Sequence, residues 1–311
     1  MRFALSVEQT SFASSIDALL SDVDTESAAR SWAAGEPEPG LKLWRALAEI
    51  GVTALGVPER FDGIAAAPID LVVAFEKLGY HAVPGPWVDT AAVLPALLDD
   101  EILAGVAAGD TLASIVFPPH VPYALDADVA RTRLLVDGDT LCAFKPARQL
   151  SSVDQTRRLF EVEPGDQLGT VTDPAKAFDL GTLATAAQLL GAGQWLLDTS
   201  VAYAKQRKQY GKEIGQYQAI KHLLADVVTK LEFARPLLHA AAVTMTARDV
   251  SAAKVATGDA AHLAARTGLQ VHGAIGYTAE HPLGLRLTKV RALVAAWGTP
   301  AFHRNRILAS L

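Results

Sequence analysis

The sequence predicts a mostly helical protein with a small β region, and three observations support this fold class. Alanine, the strongest helix former, is very abundant in the 311-residue chain. Apolar residues recur at three- and four-residue spacing near both ends, as in amphipathic helices. Short β-like runs are confined to the middle. We expect a helical domain over 1–110, a reduced β domain over 111–174 and an antiparallel four-helix bundle over 175–311.

The N-terminal domain is predicted to contain amphipathic helices near Glu8–Ser21, Leu41–Ile50 and Ile69–Leu78. Between the second and third, residues 51–63 carry Gly, Pro and Asp-Gly turn signals, which indicate a structured loop. Prolines then interrupt the chain before the β region.

Four β-like runs make up the middle domain: Leu112–Phe117, Thr132–Val136, Thr140–Phe144 and Arg158–Val162. Asp137-Gly138-Asp139 lies between two of them and predicts a hairpin. Pro164 and Gly165 indicate a break after the last of these runs. About 60 residues are too few for a large barrel or sandwich.

The C-terminal part is predicted to form three long helices and a shorter terminal one. One apolar stripe runs from Leu183 to Ala204 and a second from Tyr217 to Ala234. The alanine-rich segment Ser251–Gln270 predicts the third helix, and Gly273 suits its C-terminal stop.

Composition excludes several classes of function. A net charge of −6 and a pI of about 5.8 disfavour a general nucleic-acid or anionic-membrane role. Cys142 is the single cysteine, so an intramolecular disulfide and a thiol-rich metal site are excluded, and a cytoplasmic location is expected. No secretory signal and no transmembrane helix are expected, and the sequence contains no P-loop and no HExxH, CxxC or GxSxG motif. Its eight histidines lack metal-ligand spacing, so no metal site is expected.

The first informative motif lies between two predicted helices, in residues 204–226. Lys205, Arg207 and Lys208 form a cationic cluster, and Tyr210 and Gly211 follow. From the residues alone, the favoured interpretation is that these cations offset a helix dipole. The alternative is that Arg207 binds a phosphate, with Tyr210 beside it.

The second motif, residues 269–287, joins a helix end to a glycine-rich turn. Gln270 could hydrogen-bond a ligand amide or ribose, and Gly273 would allow a planar ligand to approach closely. An ordinary helix C-cap is again the simpler interpretation.

Together the two motifs resemble the acyl-CoA dehydrogenase family. That family's patterns are matched by these residues: Arg207, Tyr210, Gly211, Gln218 and Leu224-Ala225-Asp226, then Gln270, Gly273, Ala274, Gly276 and Tyr277. Residues 49–63 and 72–86 also resemble the family's first helical domain, so the resemblance covers nearly the whole chain.

The resemblance implies α,β-desaturation of an acyl-CoA thioester, in which a carboxylate removes the α proton and flavin N5 accepts the β hydride. It also implies that each FAD lies at a subunit interface. By residue-wise match, contacts to the ADP part of a neighbour's FAD fall on Arg207, Tyr210, Gln270 and Gly273. The sequence adds Gln209 and Ala274 as further candidates.

The catalytic base of the family is missing from the matching positions. Many members have a Glu before the Gly-Thr of the last turn, where this chain has Trp297, and an indole N–H can only donate. Other members have a Glu near the position of Gly181. Asp179 lies two residues away, about 200° around a helix, and fits an N-cap better. Glu280 is the remaining carboxylate in a motif.

The β region is also about half the length usual in the family and lacks the family's flavin-contacting stretch.

These departures predict a non-catalytic subunit of a heteromeric (α2β2) dehydrogenase, similar to those of actinobacterial steroid catabolism within lipid metabolism. A full-length partner would supply the flavin pocket, the base and most of the acyl-CoA site, and FAD would be shared at the interface. Three alternatives stay open: a self-sufficient flavoenzyme using Asp179 or Glu280, a flavin-free structural subunit, and a CoA-thioester binding or hydratase protein.

Overall fold

A computed structural model describes residues 4–278 and 281–311 and, within them, a mostly helical fold with one five-stranded sheet. The fold class predicted from sequence is confirmed. The N-terminal helices are α1 Val7–Ser21, α2 Thr25–Ala33, α3 Glu38–Glu49, α4 Pro68–Tyr80, α5 Leu94–Leu97 and α6 Ile102–Ala107. A π-helical segment, Val88–Val93, precedes α5. The three helices predicted here correspond to α1, α3 and α4.

The sheet has the strand order β1-β3-β4-β5-β2. Its strands are β1 Ala113–Val116, β2 Ala124–Leu125, β3 Thr132–Asp137, β4 Thr140–Leu150 and β5 Leu159–Thr170. The predicted hairpin joins β3 to β4, with Gly138 at a φ of 62°. Strands β4 and β5 are longer than predicted. The last β-like run was predicted to end before Pro164, whereas Pro164 lies inside β5. It pairs with Phe144 at a register irregularity, where a missing N–H is tolerated.

The C-terminal region contains the three long helices that were predicted. The elements are α7 Pro174–Gln206, β6 Lys208–Gln209, β7 Lys212–Glu213, α8 Gln218–Thr244, α9 Ala247–His272, α10 Leu283–Ala295 and α11 Pro300–Leu308. The terminal segment forms two short helices instead of one, because Trp297 and Gly298 both have positive φ and separate α10 from α11. The domain limits at 110 and 174 remain predictions.

Helix α7 lies at the centre of the molecule and contacts α4, α8, α9 and α10. Its crossing with α4 is close because of two glycines. A Cβ on Gly79 would overlap the backbone of Gln188, and one on Gly191 would overlap the backbone of Glu76. One apolar core runs from the N-terminal helices into the bundle, and a smaller one lies in the β region. The turn after α10 is thereby placed against the first turns of α7.

Candidate functional site

The two positions at which the resemblance predicts a base lie in direct contact. Trp297 is 3% exposed, between the rings of Phe117 and Phe178 at centroid distances of 5.6 and 5.7 Å. A Cβ built on Gly181 would lie 2.5–2.6 Å from carbons of the indole. The indole therefore occupies the space that a side chain at position 181 would need.

Three helices hold the turn that carries Trp297, although its φ is +54°. His303 of α11 donates from Nε2 to the Trp297 carbonyl oxygen at 2.9 Å. Its Nδ1 lies 3.1 Å from the hydroxyl of Ser251 and must accept, because the carbonyl cannot donate. The Thr182 hydroxyl of α7 also donates to the Trp297 carbonyl, at 3.3 Å. Lys254 of α9 donates to the carbonyls of residues 293 and 294 at 3.0 Å.

Burial governs the ionisation of the groups that hold this turn. Burial lowers the pKa of His303 to about 4, against the opposing hydrogen bond to Trp297, so the ring is neutral at pH 7. Burial also lowers the pKa of Lys254 to about 7. The turn is therefore held mainly by hydrogen bonds to backbone carbonyls.

The sequence-based interpretation of Asp179 as an N-cap is wrong. Asp173 caps α7 by accepting from the backbone N–H of Lys176. Asp179 lies further along the helix, and its two carboxylate oxygens accept from Arg306 at 2.7 and 3.2 Å. The guanidinium occupies both oxygens, which leaves Asp179 poorly suited to accept a substrate proton. Glu280, the other candidate base, lies outside the described residues.

A cavity of about 650 Å³ lies beside the indole, between loops of the β region and the α10–α11 turn. Its polar lining includes side chains that sequence analysis did not single out: Asp89, His120, Arg157 and Arg291. They come from four separate stretches of the chain, so no local motif could have indicated them.

Asp89 is the carboxyl group in the lining of this cavity, and it is 2% exposed. Its Oδ2 accepts from the backbone N–H of Ile115 at 2.9 Å. Burial raises the pKa of Asp89 to about 7, against the opposing effects of this hydrogen bond and of Arg157.

The candidate FAD-contacting residues lie at the other end of α7. Arg207 caps the helix and is exposed, and no described residue pairs with its guanidinium. Strands β6 and β7 then form a hairpin with Tyr210 and Gly211 at its turn, with φ of 52° and 81°. The Tyr210 side chain is 94% exposed. Gln209 folds back onto the carbonyl of Lys208 at 2.8 Å.

The second motif lies at the same end of the bundle. Gln270 is exposed in the last turn of α9, and Gly273 ends that helix with a φ of 62°. Ala274 is exposed in the turn that follows. The ring of Tyr203 in α7 stacks on His272 in α9 at 4.4 Å. This stacking holds the ends of α7 and α9 together, so Arg207 and Gln270 lie at the same end of the bundle although they are far apart in sequence.

Comparison with known proteins decides the family. The acyl-CoA dehydrogenase N-terminal domain matches residues 6–99, and the C-terminal domain matches residues 172–311. The chain is also 33% identical over 287 residues to the acyl-CoA dehydrogenase IpdE2 of Mycolicibacterium smegmatis, covering 90% of this chain and 91% of that one. The chain belongs to the acyl-CoA dehydrogenase family.

Solved structures of acyl-CoA dehydrogenases share this fold. The ChsE4-ChsE5 complex of Mycobacterium tuberculosis matches with a TM-score of 0.83 at 20% identity, over 100% of this chain and 98% of that one. A variant of the steroid ACAD Tcur3481-Tcur3483 matches with a TM-score of 0.84 at 19% identity, over 97% of each chain. Acyl-CoA dehydrogenases are oxidoreductases, and FAD is the family's cofactor. Among the described helices, none is long and apolar enough to cross a membrane.

Proposed function

We propose that this chain is the non-catalytic subunit of a heteromeric acyl-CoA dehydrogenase and completes the FAD site of a full-length partner. One observation carries the proposal. The two family positions for the base are Trp297 and Gly181, and neither carries a carboxylate. The indole of Trp297 is buried and also fills the space that a side chain at position 181 would need. The partner must then supply the base that removes the α proton.

The residues at the end of α7 suit the ADP part of FAD. Arg207 has an exposed guanidinium with no partner among the described residues, as required for a fork onto a phosphate. Gln270 presents an exposed side chain at the same end of the bundle, and a Cβ built on Gly273 would meet open space. Tyr210, Gln209 and Ala274 flank these groups. When bound, FAD supplies the hydride acceptor, and this chain's part is to hold the phosphate end.

The other end of α7 does not suit a flavin ring. Trp297 contacts Gly181 directly and is held by His303, so a planar ring at that point would have to displace the indole. We therefore assign the flavin ring and most of the acyl-CoA to the partner, in an α2β2 assembly. Likeness to the ChsE4-ChsE5 complex and to a steroid ACAD supports a heteromer acting on a steroid-derived CoA thioester.

The test is to produce the chain alone and together with a candidate partner, and to count FAD per chain by absorbance. The complex should carry about one FAD per heterodimer and be active, while the chain alone should be colourless and inactive. An active chain alone with one FAD each would refute the proposal. A complex that is assembled but free of FAD would instead favour a purely structural subunit.

One observation favours a second candidate, a self-sufficient dehydrogenase with a relocated base. Asp89 places a carboxyl group in the lining of the cavity beside Trp297. If the partner supplies the base, Asp89→Asn in the complex should leave kcat unchanged. A loss of kcat by a hundredfold or more, with FAD content unchanged, would support the second candidate. Asp166→Asn, at an exposed position on β5, is the matched control.

A further inference from the structure

Helix α8 has an outer side that the described part of the chain leaves uncovered. Its inner side packs on α4, α7 and α9 and buries Val227 and Leu231. On the outer side, Phe233 is 71% exposed, and Leu223 and Leu237 are also exposed. A single exposed apolar residue is ordinary, but apolar residues that recur along one line of a helix indicate a contact surface.

These apolar residues belong to a regular stripe along the outer side of α8. Its positions are separated by alternating four- and three-residue steps, which is the spacing of the contact line between two paired helices. The stripe consists of these exposed residues: Ala219, Leu223, Asp226, Lys230, Phe233 and Leu237. Helix α8 therefore carries a helix-pairing pattern on the side where the described residues supply no second helix.

The two charges at the centre of the stripe are opposite and unpaired. Asp226 and Lys230 are four residues apart on one helix, yet neither forms an ion pair with any residue that the structure describes. Polar residues within a helix-pairing line fix the register and orientation of the partner helix. Their arrangement therefore indicates what kind of helix would fit against α8.

The stripe is complementary to its own reverse. Counted from position 228, Asp226 and Lys230 lie two residues to either side, Leu223 and Phe233 lie five, and Ala219 and Leu237 lie nine. If two copies of α8 run antiparallel with a two-fold axis at that level, each residue faces the other member of its pair in the second copy. The charges then form two reciprocal ion pairs, whereas a parallel pairing would place like charges together.

We propose that this chain self-associates through the outer stripe of α8, which packs antiparallel against α8 of a second copy. The pairing removes the exposed apolar side chains from water, and Asp226 of each copy pairs with Lys230 of the other. A second copy is favoured over an unrelated protein because the stripe matches itself in both its apolar and its charged positions. The proposal goes beyond the role at the FAD site, since the contact needs neither the cofactor nor a full-length partner.

Sedimentation equilibrium of the full chain alone measures this self-association. The unmodified chain should be a dimer that dissociates on dilution. Asp226→Lys and Lys230→Asp should each weaken the dimer about tenfold or more at low salt, because each change brings like charges together across the axis.

An equimolar mixture of these two variants tests the antiparallel register. A dimer with one copy of each variant should form, because a lysine then faces an aspartate at both positions. Each variant still carries two like charges within its own helix, so recovery on mixing can only arise between chains.

A further pair of variants separates the stripe from the rest of α8. Phe233→Glu should weaken the dimer about tenfold or more, because a charge replaces an apolar contact at the interface. Val228→Glu is the matched control, since Val228 is also exposed on α8 but lies in a groove beside Leu197 and Val201 of α7. It should leave the dimer unchanged, and circular dichroism checks that each variant keeps its helices.

Three results would overturn the proposal. A chain that stays monomeric over a hundredfold range of concentration would leave the stripe to a different protein. A dimer that persists in Phe233→Glu and in both charge variants would place the contact on another face. Charge variants that dissociate but do not recover on mixing would exclude the antiparallel register. Because sedimentation measures neither FAD content nor turnover, failure here leaves the proposed subunit role unaffected.

Discussion

The two ends of α7 differ in whether the side chains around them are buried and have partners within the chain. At its start, Trp297 is buried against Gly181, and His303 and Thr182 donate to its carbonyl. At its end, Arg207 and Tyr210 are exposed and their side chains have no partner among the described residues. The ends are separated by roughly 39 Å at 1.5 Å per residue. We call the start of α7, around Gly181 and Trp297, the closed end, because its groups find their partners within the chain. We call the end of α7, around Arg207 and Tyr210, the open end, because its side chains are available to bind another molecule.

The largest expected effect tests the closed end. Trp297→Ala should lower the free energy of unfolding by about 3–5 kcal/mol, because a large buried ring is lost. Gly181→Ala should cost about 1–3 kcal/mol, since its methyl group would meet the indole. In the Trp297→Ala background, Gly181→Ala should instead stabilise by about 0.5–1 kcal/mol, as Gly→Ala does within a helix.

Urea unfolding of the four proteins measures this reversal of sign. Gly284→Ala in α10 is the control, because a Cβ there would meet nothing, and it should be neutral or slightly stabilising. If Gly181→Ala lowered the free energy of unfolding equally with and without the indole, the indole would not be what excludes a side chain at position 181.

The second prediction concerns the hydrogen bonds of the closed end. His303→Ala should cost about 2–4 kcal/mol at pH 7.5, because it leaves a cavity, removes one of the two donors to the Trp297 carbonyl and leaves the Ser251 hydroxyl without its acceptor. The native pKa of about 4 lies below the ordinary value of 6.5. His303 therefore contributes its full stability above pH 6.5 and loses it as the pH falls towards 4.

Unfolding at pH 7.5 and at pH 5 checks both parts of this prediction. The gap between the unmodified chain and His303→Ala should be smaller at pH 5. His262→Ala, at an exposed position on α9, should change stability by less than about 0.5 kcal/mol at both values. A gap that widened in acid would mean that His303 is charged in the folded chain.

The sequence predicted the local features of both ends but not their contacts. Periodic apolar residues predicted α7, α8 and α9, because each buries a continuous helical face. The contact between Trp297 and Gly181 joins residues far apart in the chain, so no spacing rule could indicate it. Asp179 was misassigned for a related reason, since its partner Arg306 lies on the last helix.

The cavity was harder still to predict. Asp89, Arg157 and Arg291 are far apart in the sequence, and only the fold brings them to the lining of one cavity. The open end was the easier case, because its residues lie in two short motifs with turn glycines. Their contacts to FAD remain a prediction.

The third prediction tests the open end directly. Arg207→Ala should weaken FAD retention by the complex by roughly 1.5–3 kcal/mol, about ten- to hundredfold, through loss of a charged hydrogen bond. The stability of the chain alone should not change, because no described residue pairs with the guanidinium. Dilution of the complex with flavin fluorescence as the readout gives the dissociation constant. Arg131→Ala, at another exposed arginine, is the control; equal FAD affinity in both variants would leave Arg207 as a helix-end cation.

The smallest effect on stability, and the sharpest contrast between the two ends, is expected at Tyr210. A nearly fully exposed tyrosine with a φ of 52° gains little from its own chain, since the left-handed region costs a non-glycine residue about 1–2 kcal/mol. Tyr210→Gly should therefore stabilise the chain by at most about 1 kcal/mol, because glycine's greater freedom in the unfolded state offsets part of the strain that the change removes.

The same change should weaken FAD retention by the complex, because on the proposed function the ring of Tyr210 contacts FAD. Asp62→Gly is the matched control, being exposed with a φ of 59° in the N-terminal domain, and it should alter stability similarly without affecting FAD. If Tyr210→Gly also left FAD retention unchanged, the ring would have no role in holding the cofactor, and Arg207 and Gln270 alone would define the open end.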